Sequence, residues 1–509
     1  MFKSVASNWI LNLLQMAVLL VLSPFVLKHL GGEQNGLWAT IVSYTGVLSL
    51  LILGVPMASV RAIATAAAQK DEDALRRALS TCLGICLFLG ASAILVAGLL
   101  YLVFEQGVLQ GEAGRGLAPQ LLSDARLAFG IVGIQVACGF AMRLPYGVLE
   151  AFGDFGLRNL VMAGELALRF TLTTLLLSWR AELPVLALVQ VGCMLAEFAA
   201  ALWILRRRHP ALSFSLAHFD RAAVRPILGF SVFALLLNVG SLLAFRLDAM
   251  VIGSNLPAQS ATDFDVGNKF FDPLMQLLIG VGAVIMPLAA RLSAAGNTSE
   301  LGATFLKWSK ISLSIVLAVG LYLAVLGPAF VGWWMGPEYE ARSGLVLQIL
   351  MLSFLVYLPV RGVALPILMG LGKPRAPALA LLVMGLANLA ISLALVRPLG
   401  TVGVALGTAI PNLFFAVYVL HLACRELAIP PAHYLSRVVL RCAIGALLPL
   451  ALLLFLEHGL HVRGFLPLLA AGLASTLVFA LTWLFFVLRG DPDLDLLARL
   501  RARRAPAHD

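Results

Sequence analysis

The sequence predicts an all-α integral membrane protein with about 14 transmembrane helices. Hydrophobic residues make up 61% of the 509 residues and charged residues only 12%, about half the charged fraction of an average soluble domain. The mean hydropathy is +0.96, and the apolar runs match the roughly 20 residues that a membrane-spanning helix needs. The runs are too long and too continuously apolar for the strands of a membrane β-barrel.

Fourteen apolar runs, here called spans one to fourteen in chain order, follow one another with short connections. Span one is predicted to be a retained helix and not a cleaved signal peptide, because its apolar run is long and carries interrupting amides. The spans cover residues 7–27, 36–58, 79–104, 125–149, 159–179, 183–205, 226–253, 264–290, 304–326, 343–370, 376–396, 400–422, 438–459 and 464–488.

The lysines and arginines predict the orientation. With the N-terminus in the cytoplasm, 25 of the 36 fall on the cytoplasmic side and 7 outside, which leaves Arg169, Arg246, Lys269 and Arg361 within spans. This asymmetry agrees with the positive-inside rule and accounts for most of the net charge of +10 without a nucleic-acid partner. Both termini are therefore expected in the cytoplasm.

Weak internal similarity predicts two parallel halves. VPMASVR (55–61) corresponds to MPLAAR (286–291), and VLEAFGD (148–154) corresponds to ILMGLGK (367–373). Parallel repeats of this kind are found in transporters, with substrate bound between the two bundles.

The most basic loop separates the two halves and sets the predicted domain boundaries. The second half is followed by two helices outside the repeat and by a basic tail, in which 491–504 is either a short amphipathic helix on the inner leaflet or disordered. The predicted parts are a six-helix bundle over 1–208, a basic cytoplasmic linker over 209–225, a second six-helix bundle over 226–424, extra helices over 425–490, and a cytoplasmic tail over 491–509.

Basic residues within or at the ends of spans are the main functional signal. A charge inside a bilayer costs about 2.5–3.5 kcal/mol on insertion scales, so it usually faces a partner or a water-filled pathway. For Arg61 and Arg143, the alternative to a role in the pathway is that their side chains snorkel to the membrane surface. The six candidate substrate-binding cations, three from each half, are Arg61, Arg143, Arg169, Arg246, Lys269 and Arg361.

Carboxylates and amides accompany these cations. Glu165 is placed to neutralise Arg169 one helical turn away, and Arg246 has either Asp248 or a carboxylate of span eight as a potential partner. Pro273 is expected to kink span eight. The candidates for ion coupling are Glu165, Glu197, Asp248, Asp265 and Asp272. The polar candidates for substrate binding, with interhelical hydrogen bonding as the alternative, are Asn8, Asn12, Gln15, Asn268 and Gln276.

The sequence contains no pattern that predicts a catalytic site, a cofactor or a metal site. The six cysteines include no CxxC pair, and small buried apolar positions are their expected role. Glu457, His458 and His461 are too few for a convincing metal site. The longest external loop, about 105–124, leaves little room for a catalytic domain. Energy for transport is therefore expected from an ion gradient, the membrane potential or the substrate gradient.

Five stretches together resemble the lipid-linked oligosaccharide flippases of the multidrug/oligosaccharidyl-lipid/polysaccharide exporter superfamily, whose fold is MATE-like. They are SNWILNLLQMAVLLVLSPFVLKHLGGEQNGLW (7–38), LGVPMASVRAIA (53–64), RLDAMVIGSNL (246–256), RGVALPILMGLGKPRAPAL (361–379) and LGTVGVALGT (399–408). The resemblance implies a V-shaped pair of six-helix bundles with two additional helices, which alternates access across a bacterial cytoplasmic (inner) membrane.

The resemblance also implies a substrate. Such proteins transfer an undecaprenyl-pyrophosphate-linked sugar unit to the outer leaflet, with basic cavity residues engaging the anionic group. Membrane lipids and polysaccharide polymerases or other assembly proteins are the implied partners. A cation-coupled multidrug antiporter of the same fold and a membrane glycan polymerase or ligase are the alternatives. Span one has neither the carboxylate of the antiporters nor the arginines of the lipid II flippases.

Overall fold

The computed structural model describes residues 2–488 apart from 53–54, 70, 211, 213 and 229–231. The tail 491–509 and the side chain of Asn8 lie outside the described part. All regular structure in that part is helical, as expected where a lipid environment leaves backbone groups no alternative partner. The chain divides into two compact units, Met1–Thr262 and Asp263–Asp509.

The first unit contains the helices α1 to α10 and the start of α11. A 3-10 helix, Val47–Ile52, follows α1, and a π-helical turn, Glu105–Leu109, follows α3. Gly31 has non-helical backbone angles and divides α1. The bounds are α1 Phe2–Gly46, α2 Val55–Gln69, α3 Glu72–Phe104, α4 Pro119–Met142, α5 Leu144–Ala151, α6 Phe155–Trp179, α7 Leu183–Arg208, α8 Arg221–Leu228, α9 Val232–Phe245, α10 Asp248–Asn255 and α11 Ala258–Asn268.

The second unit contains the end of α11 and all later helices. Gly400 divides the long helix α16 as Gly31 divides α1. Short π-helical segments, Leu435–Leu440 and Trp483–Val487, precede α18 and follow α19. The bounds are α12 Phe271–Ala294, α13 Thr298–Met335, α14 Pro337–Gly362, α15 Ala364–Gly370, α16 Arg375–Glu426, α17 Pro431–Tyr434, α18 Arg441–His458 and α19 Phe465–Thr482.

Eleven of the described helices or helix combinations are long and apolar enough to cross a membrane, or twelve if the bent pair α9–α10 is one span. This count takes α1 and α16 as one span each, although each contains a non-helical glycine. The all-helical membrane fold is thus confirmed, and the exact number of 14 spans stays a prediction.

Aromatic packing forms the centre of the first unit. Tyr44, Phe104 and Phe129 are fully buried or nearly so and contact one another edge-on or stacked. Burying an aromatic ring removes about 150–250 Å² of surface from solvent, and offset pairs add about 0.5–1.5 kcal/mol each. This cluster fixes α1 against α3 and α4.

In the second unit, α18 and α19 pack on α13. Buried Leu326, Leu453 and Leu468 belong to one apolar cluster, and the Tyr322 hydroxyl donates a hydrogen bond to the Leu468 carbonyl at 3.1 Å. The two helices predicted to lie outside the repeat are therefore part of this unit's apolar core.

The basic linker packs on the first unit. The backbone N–H of Asp220 donates to the Thr81 hydroxyl at 3.1 Å, and Phe219 lies against Gly84 of α3. Residues 226–262, which the sequence groups with the second half, fall within the first compact unit. The predicted assignment of helices to two six-helix bundles stays a prediction.

Candidate functional site

Four of the six predicted cations lie at or beside interruptions in spanning helices. Arg143 separates α4 from α5, and Arg246 precedes the 41° bend between α9 and α10. Lys269 lies between α11 and α12, and Arg361 lies two residues before Val363, which separates α14 from α15. A broken helix in a membrane frees backbone groups, which is tolerated only in contact with protein or a wet cavity.

Proline explains three of these breaks. A proline lacks the N–H that would bond the carbonyl four residues earlier, and its ring clashes with that carbonyl. Pro145 follows the break at Arg143, and Pro366 follows the break at Val363. Pro273 was expected to kink span eight at its own position. The break instead lies one turn earlier, at Lys269–Phe270, because the obstructed carbonyl is that of Lys269, and Pro273 itself sits in the first turn of α12.

Lys269 and Asp265 form an ion pair at the break in span eight. The Lys269 side chain is 21% exposed and that of Asp265 is 33% exposed, so both retain access to solvent or a ligand. Near them, the buried Asp263 carboxylate lies 3.8 Å from a guanidinium nitrogen of Arg342. Two carboxylate–cation contacts thus lie near the break between α11 and α12.

Arg361 stands apart from these pairs. Its Nε atom is buried and has no hydrogen-bond partner among the described residues. Tyr357 lies one turn earlier on α14 and is fully buried. A buried guanidinium N–H without an acceptor costs on the order of 1–3 kcal/mol. The position is therefore unfavourable for stability unless something outside the described protein atoms accepts this hydrogen bond.

In the first unit, α6 and α7 contribute a connected group of charges. Arg169 donates through Nε to Glu165 at 2.8 Å, as the one-turn spacing predicts. The carboxylate of Glu197 on α7 lies within electrostatic range of Arg143, Glu165 and Arg169. The structure therefore brings together four of the predicted site residues from three helices, counting Arg143 at the end of α4.

The break at Arg246 is tied to α1 by small polar side chains. Ser43 donates to the Arg246 carbonyl, and the Tyr44 and Ser254 hydroxyls lie 3.1 Å apart. The Arg246 side chain is exposed, whereas Asp248 is 5% exposed. The Ser43 hydroxyl thus donates a hydrogen bond to a carbonyl at the end of α9. Carbonyls at the end of a helix have no donor within the helix.

The remaining predicted polar residues are dispersed. Arg61 is exposed on α2, and no ion pair involves it within the described part of the chain. Gln15 is exposed and Asn12 partly exposed on α1. Asp272 and Gln276 are exposed on α12. The partly exposed Asn268 ends α11, so the predicted polar face of span eight is distributed over two helices.

The structure adds polar contacts that sequence reasoning missed. Arg158 bonds the Tyr146 hydroxyl at 3.1 Å, lies 3.3 Å from a Glu150 oxygen, and covers the Tyr146 ring. Lys310, which is one of the 25 basic residues that the predicted orientation places on the cytoplasmic side, is only 1% exposed within α13. Neither was recognisable locally: Arg158 lies just before predicted span five and Lys310 in the first two turns of predicted span nine, and a basic residue is ordinary near the end of a span.

Together, the apolar helices and the charged breaks define a multi-pass membrane protein with discontinuous helices, a construction that many transporters share. The chain belongs to the polysaccharide biosynthesis protein family, whose model matches residues 1–293. No curated protein sequence matches it significantly.

Solved structures of transporters share this fold. An inward-facing multidrug resistance MATE family transporter of the MOP superfamily aligns with a TM-score of 0.67 at 16% identity, over 82% of this chain and 94% of that one. The lipid II flippase MurJ in an inward closed conformation aligns with a TM-score of 0.68 at 13% identity, over 94% and 98%. A MOP superfamily transporter from Pyrococcus furiosus reaches 0.60 at 17% identity, over 84% and 96%.

These comparisons confirm the MATE-like fold that the sequence predicts. The solved structures that share this fold are transporters and a flippase.

Proposed function

We propose that this protein is a flippase that moves an undecaprenyl-pyrophosphate-linked oligosaccharide from the inner to the outer leaflet of the bacterial cytoplasmic membrane. The product would feed the assembly of a cell-surface polysaccharide, either O-antigen, capsule or exopolysaccharide. The observation that carries the proposal is the placement of basic side chains at helix breaks: Arg143, Arg246, Lys269 and Arg361.

The pyrophosphate is the group that these cations suit. Guanidinium binds phosphate oxygens through two parallel hydrogen bonds and stays charged throughout the membrane. Arg361 has a buried N–H without a described acceptor, and a phosphate oxygen would provide one. The other arginines, Arg61 and Arg169, would extend the same electrostatic route.

The uncharged polar residues suit the sugar. Asn8, Asn12 and Gln15 on span one, with Asn268 and Gln276 on span eight, can donate to and accept from hydroxyl groups. The carboxylates Glu165, Glu197, Asp248, Asp265 and Asp272 are proposed for ion coupling. Glu197 is the best supported of these candidates, since its carboxylate interacts electrostatically with Arg143 and Arg169. Protonation of Glu197 would remove both of these interactions.

Alternating access between the two leaflets would complete the cycle. The positive-inside distribution supports cytoplasmic termini. Membrane lipids would surround the protein, and a polysaccharide polymerase or another assembly protein would receive the product on the outer side.

The test compares Lys269→Ala and Arg361→Ala with a control variant, Arg397→Ala, which removes an exposed arginine on α16. We expect at least about tenfold less lipid-linked glycan in the outer leaflet for the first two, since each charge-assisted hydrogen bond contributes about 1.5–3 kcal/mol. Arg397→Ala should behave as the wild type. Normal outer-leaflet glycan in both site variants would refute the cation-lined route.

A cation-coupled antiporter remains the second candidate, because the MATE transporter aligns with nearly the same TM-score as the flippase. An antiporter for cationic drugs would gain nothing from arginines at helix breaks. Ion-dependent efflux of a cationic dye by the purified protein in liposomes, with no movement of lipid-linked glycan, would favour it.

A further inference from the structure

The long helix α16 folds back on itself at Gly400 and forms a hairpin of two arms. The Asn388 amide of the first arm donates a hydrogen bond to the Thr408 hydroxyl of the second arm at 3.0 Å. At the open end of the hairpin, Lys373, which lies just before α16, pairs with Glu426, the last residue of α16. The two contacts fix which residues of the antiparallel arms lie side by side.

The two arms enclose a groove of about 850 Å³ on the surface of the second unit, here called the α16 groove. The second arm lines it with residues 410–418, so the part with two walls is roughly 12 Å long at 1.5 Å per residue. This part is lined by apolar side chains and Tyr418. Val383 of the first wall is 63% exposed and Phe414 of the second is 74% exposed. The α16 groove therefore offers apolar surface on both sides of a short slot.

Toward the open end of the hairpin, the α16 groove is basic. Lys373 and Arg375 line this end, and Arg425 lies 3.5 Å from an oxygen of Glu426, the carboxylate that also pairs with Lys373. Three cations and one carboxylate leave a net charge of +2. Arg375 is exposed and forms no ion pair within the part of the chain that the structure describes. This end is therefore complementary to an anionic group.

The dimensions of the α16 groove match one leaflet of a bilayer. The pairing of Lys373 with Glu426 places Tyr418 near the level of Ala380. From Arg375 to Ala380 a helix rises roughly 7–8 Å, and the head-group layer of one leaflet is about 5–8 Å thick. The two-walled part then adds roughly 12 Å, within the ~15 Å depth of one leaflet's hydrocarbon. A lipid with its head group at Arg375 can thus lay one acyl chain along the slot.

The charge of the basic end favours one kind of head group. Lys373, Arg375 and Arg425 are all among the 25 basic residues that the predicted orientation places on the cytoplasmic side. Basic residues near that surface attract anionic lipids, with a gain of about fivefold in binding for each. A zwitterionic head group has no net charge to complement the +2. An anionic lipid of the cytoplasmic leaflet therefore fits the α16 groove better than a neutral one.

We propose that the α16 groove is a binding site for an anionic phospholipid of the cytoplasmic leaflet. Its phosphate lies at Arg375, because a guanidinium can donate two parallel hydrogen bonds to phosphate oxygens. One acyl chain lies between Val383 and Phe414. None of the helix breaks used in the proposed function belongs to α16, so this inference does not depend on what the protein transports.

The location can be tested with phosphatidylglycerol that carries a diazirine in one acyl chain. The full-length protein is irradiated in phosphatidylcholine nanodiscs that contain a small share of this probe, and the labelled peptides are mapped. We expect saturable labelling within 376–391 and 410–418, at least about fivefold stronger than with a phosphatidylcholine probe that carries the same diazirine. Equal labelling by the two probes would identify ordinary boundary lipid and overturn the proposal, as would labelling by phosphatidylglycerol only outside these segments.

Matched variants test the two parts of the groove. Arg375→Gln removes a charge at the basic end, and its control, Arg397→Gln, removes an exposed arginine near the turn of the hairpin. Ala387→Trp fills the lining, and its control, Ala390→Trp, places the same ring at an exposed position outside the lining. We expect Arg375→Gln to lower the preference for phosphatidylglycerol about fivefold and Ala387→Trp to lower labelling by both probes at least about tenfold. Both controls should match the wild type.

Two further outcomes would contradict the proposal. If Arg397→Gln lowers the preference for phosphatidylglycerol as much as Arg375→Gln, the charge of the whole protein is responsible and not the end of the groove. If undecaprenyl pyrophosphate displaces the probe at a far lower concentration than unlabelled phosphatidylglycerol, the α16 groove holds the lipid carrier instead. The arginine pair decides alone if Ala387→Trp does not fold.

Discussion

Span four in the first unit and span ten in the second are built alike but treat their arginines differently. Each is a long helix, a break, a short helix and a glycine turn: α4–α5 and α14–α15. Arg143 at the first break is exposed and lies within electrostatic range of Glu197. Arg361 near the second has a buried Nε without a described acceptor. The same helix architecture thus carries one arginine near a carboxylate and one arginine with a buried N–H that lacks a described acceptor.

The turns after the two short helices show the same agreement in detail. Phe152 and Asp154 donate backbone hydrogen bonds to the carbonyls of Val148 and Leu149. Leu371 and Lys373 do the same to Ile367 and Leu368. Gly153 and Gly372 adopt φ of 78° and 70°, as a helix-terminating glycine does. The weak sequence match between 148–154 and 367–373 therefore reflects a shared backbone structure.

The largest effect should come from removing Arg361, the cation with a buried N–H that lacks a described acceptor. Arg361→Met should lower translocation of lipid-linked glycan more than about tenfold, yet leave stability unchanged or raise it by up to about 1–3 kcal/mol, since a buried N–H without an acceptor is removed. Arg143→Met should cost less transport, because Arg143 is exposed and has a carboxylate near. Translocation in liposomes and thermal unfolding in detergent measure both. A destabilised Arg361→Met with normal transport would show that this arginine serves the fold alone.

Replacing the glycine by alanine should lower the free energy of unfolding equally in the two turns. Gly153→Ala and Gly372→Ala should each destabilise by about 1–2 kcal/mol, because an L-residue is strained at this φ, whereas a Cβ at either position meets nothing within 4 Å. Gly130→Ala in α4 is the control: its Cβ also meets nothing, and alanine in a helix should stabilise by about 0.5–1 kcal/mol. Unequal losses at the two turns would mean that the halves differ in structure there.

The far ends of α4 and α14 allow a smaller test. Arg126 of α4 bonds Glu105 through two nitrogens at 2.9 and 2.8 Å. Glu340 of α14 lies 3.1 Å from Arg463, which also bonds Glu457. Arg126→Ala and Arg463→Ala should each cost about 0.2–1 kcal/mol, the range of solvent-exposed pairs, and leave transport intact. A transport defect at normal stability would assign these arginines a direct role.

High pH should not weaken the Arg463 contacts. The Glu457 carboxylate raises the pKa of Arg463 above its usual value. A cation whose pKa is raised in the folded state loses its stabilising contribution only as the pH rises through that pKa, so the contribution should persist across the physiological range. An unfolding midpoint measured from pH 6 to 9 should show the same difference between wild type and Arg463→Ala throughout.

The smallest effect concerns the two one-turn pairs, Glu165–Arg169 and Asp265–Lys269. Double-mutant cycles to alanine should give couplings of about 0.3–0.5 kcal/mol in each, as is usual for such pairs. Transport measurements on the same variants should show whether either pair also acts on the substrate, which a purely structural pair does not do. If Lys269 binds substrate, replacing Asp265 as well will not restore the activity lost in Lys269→Ala. Restoration in the double variant would show that Lys269 only neutralises Asp265.

Much of the fold was predictable because a membrane allows few structures. Long apolar runs must be helices there, and all regular structure in the described part of the chain is helical. The breaks were less accessible. Pro273 indicates a break in span eight, but the break lies one turn before the proline. No proline lies within the four residues after Arg246. The bend there is next to the hydrogen bond that Ser43 donates to the Arg246 carbonyl.

The sequence alone determined the membrane class, the predicted orientation and the identity of the charged residues, because hydropathy and charge act locally along the chain. Only the tertiary structure decided how these charges are compensated. Glu197 reaches Arg143 and Arg169 from another helix, Lys310 is buried at what looked like a span end, and Arg361 keeps a buried N–H without a described acceptor. The physical reason is that desolvation and pairing depend on which helices pack together. Arg143 and Glu197 are 54 positions apart, and nothing in the sequence near either residue indicates that they come close.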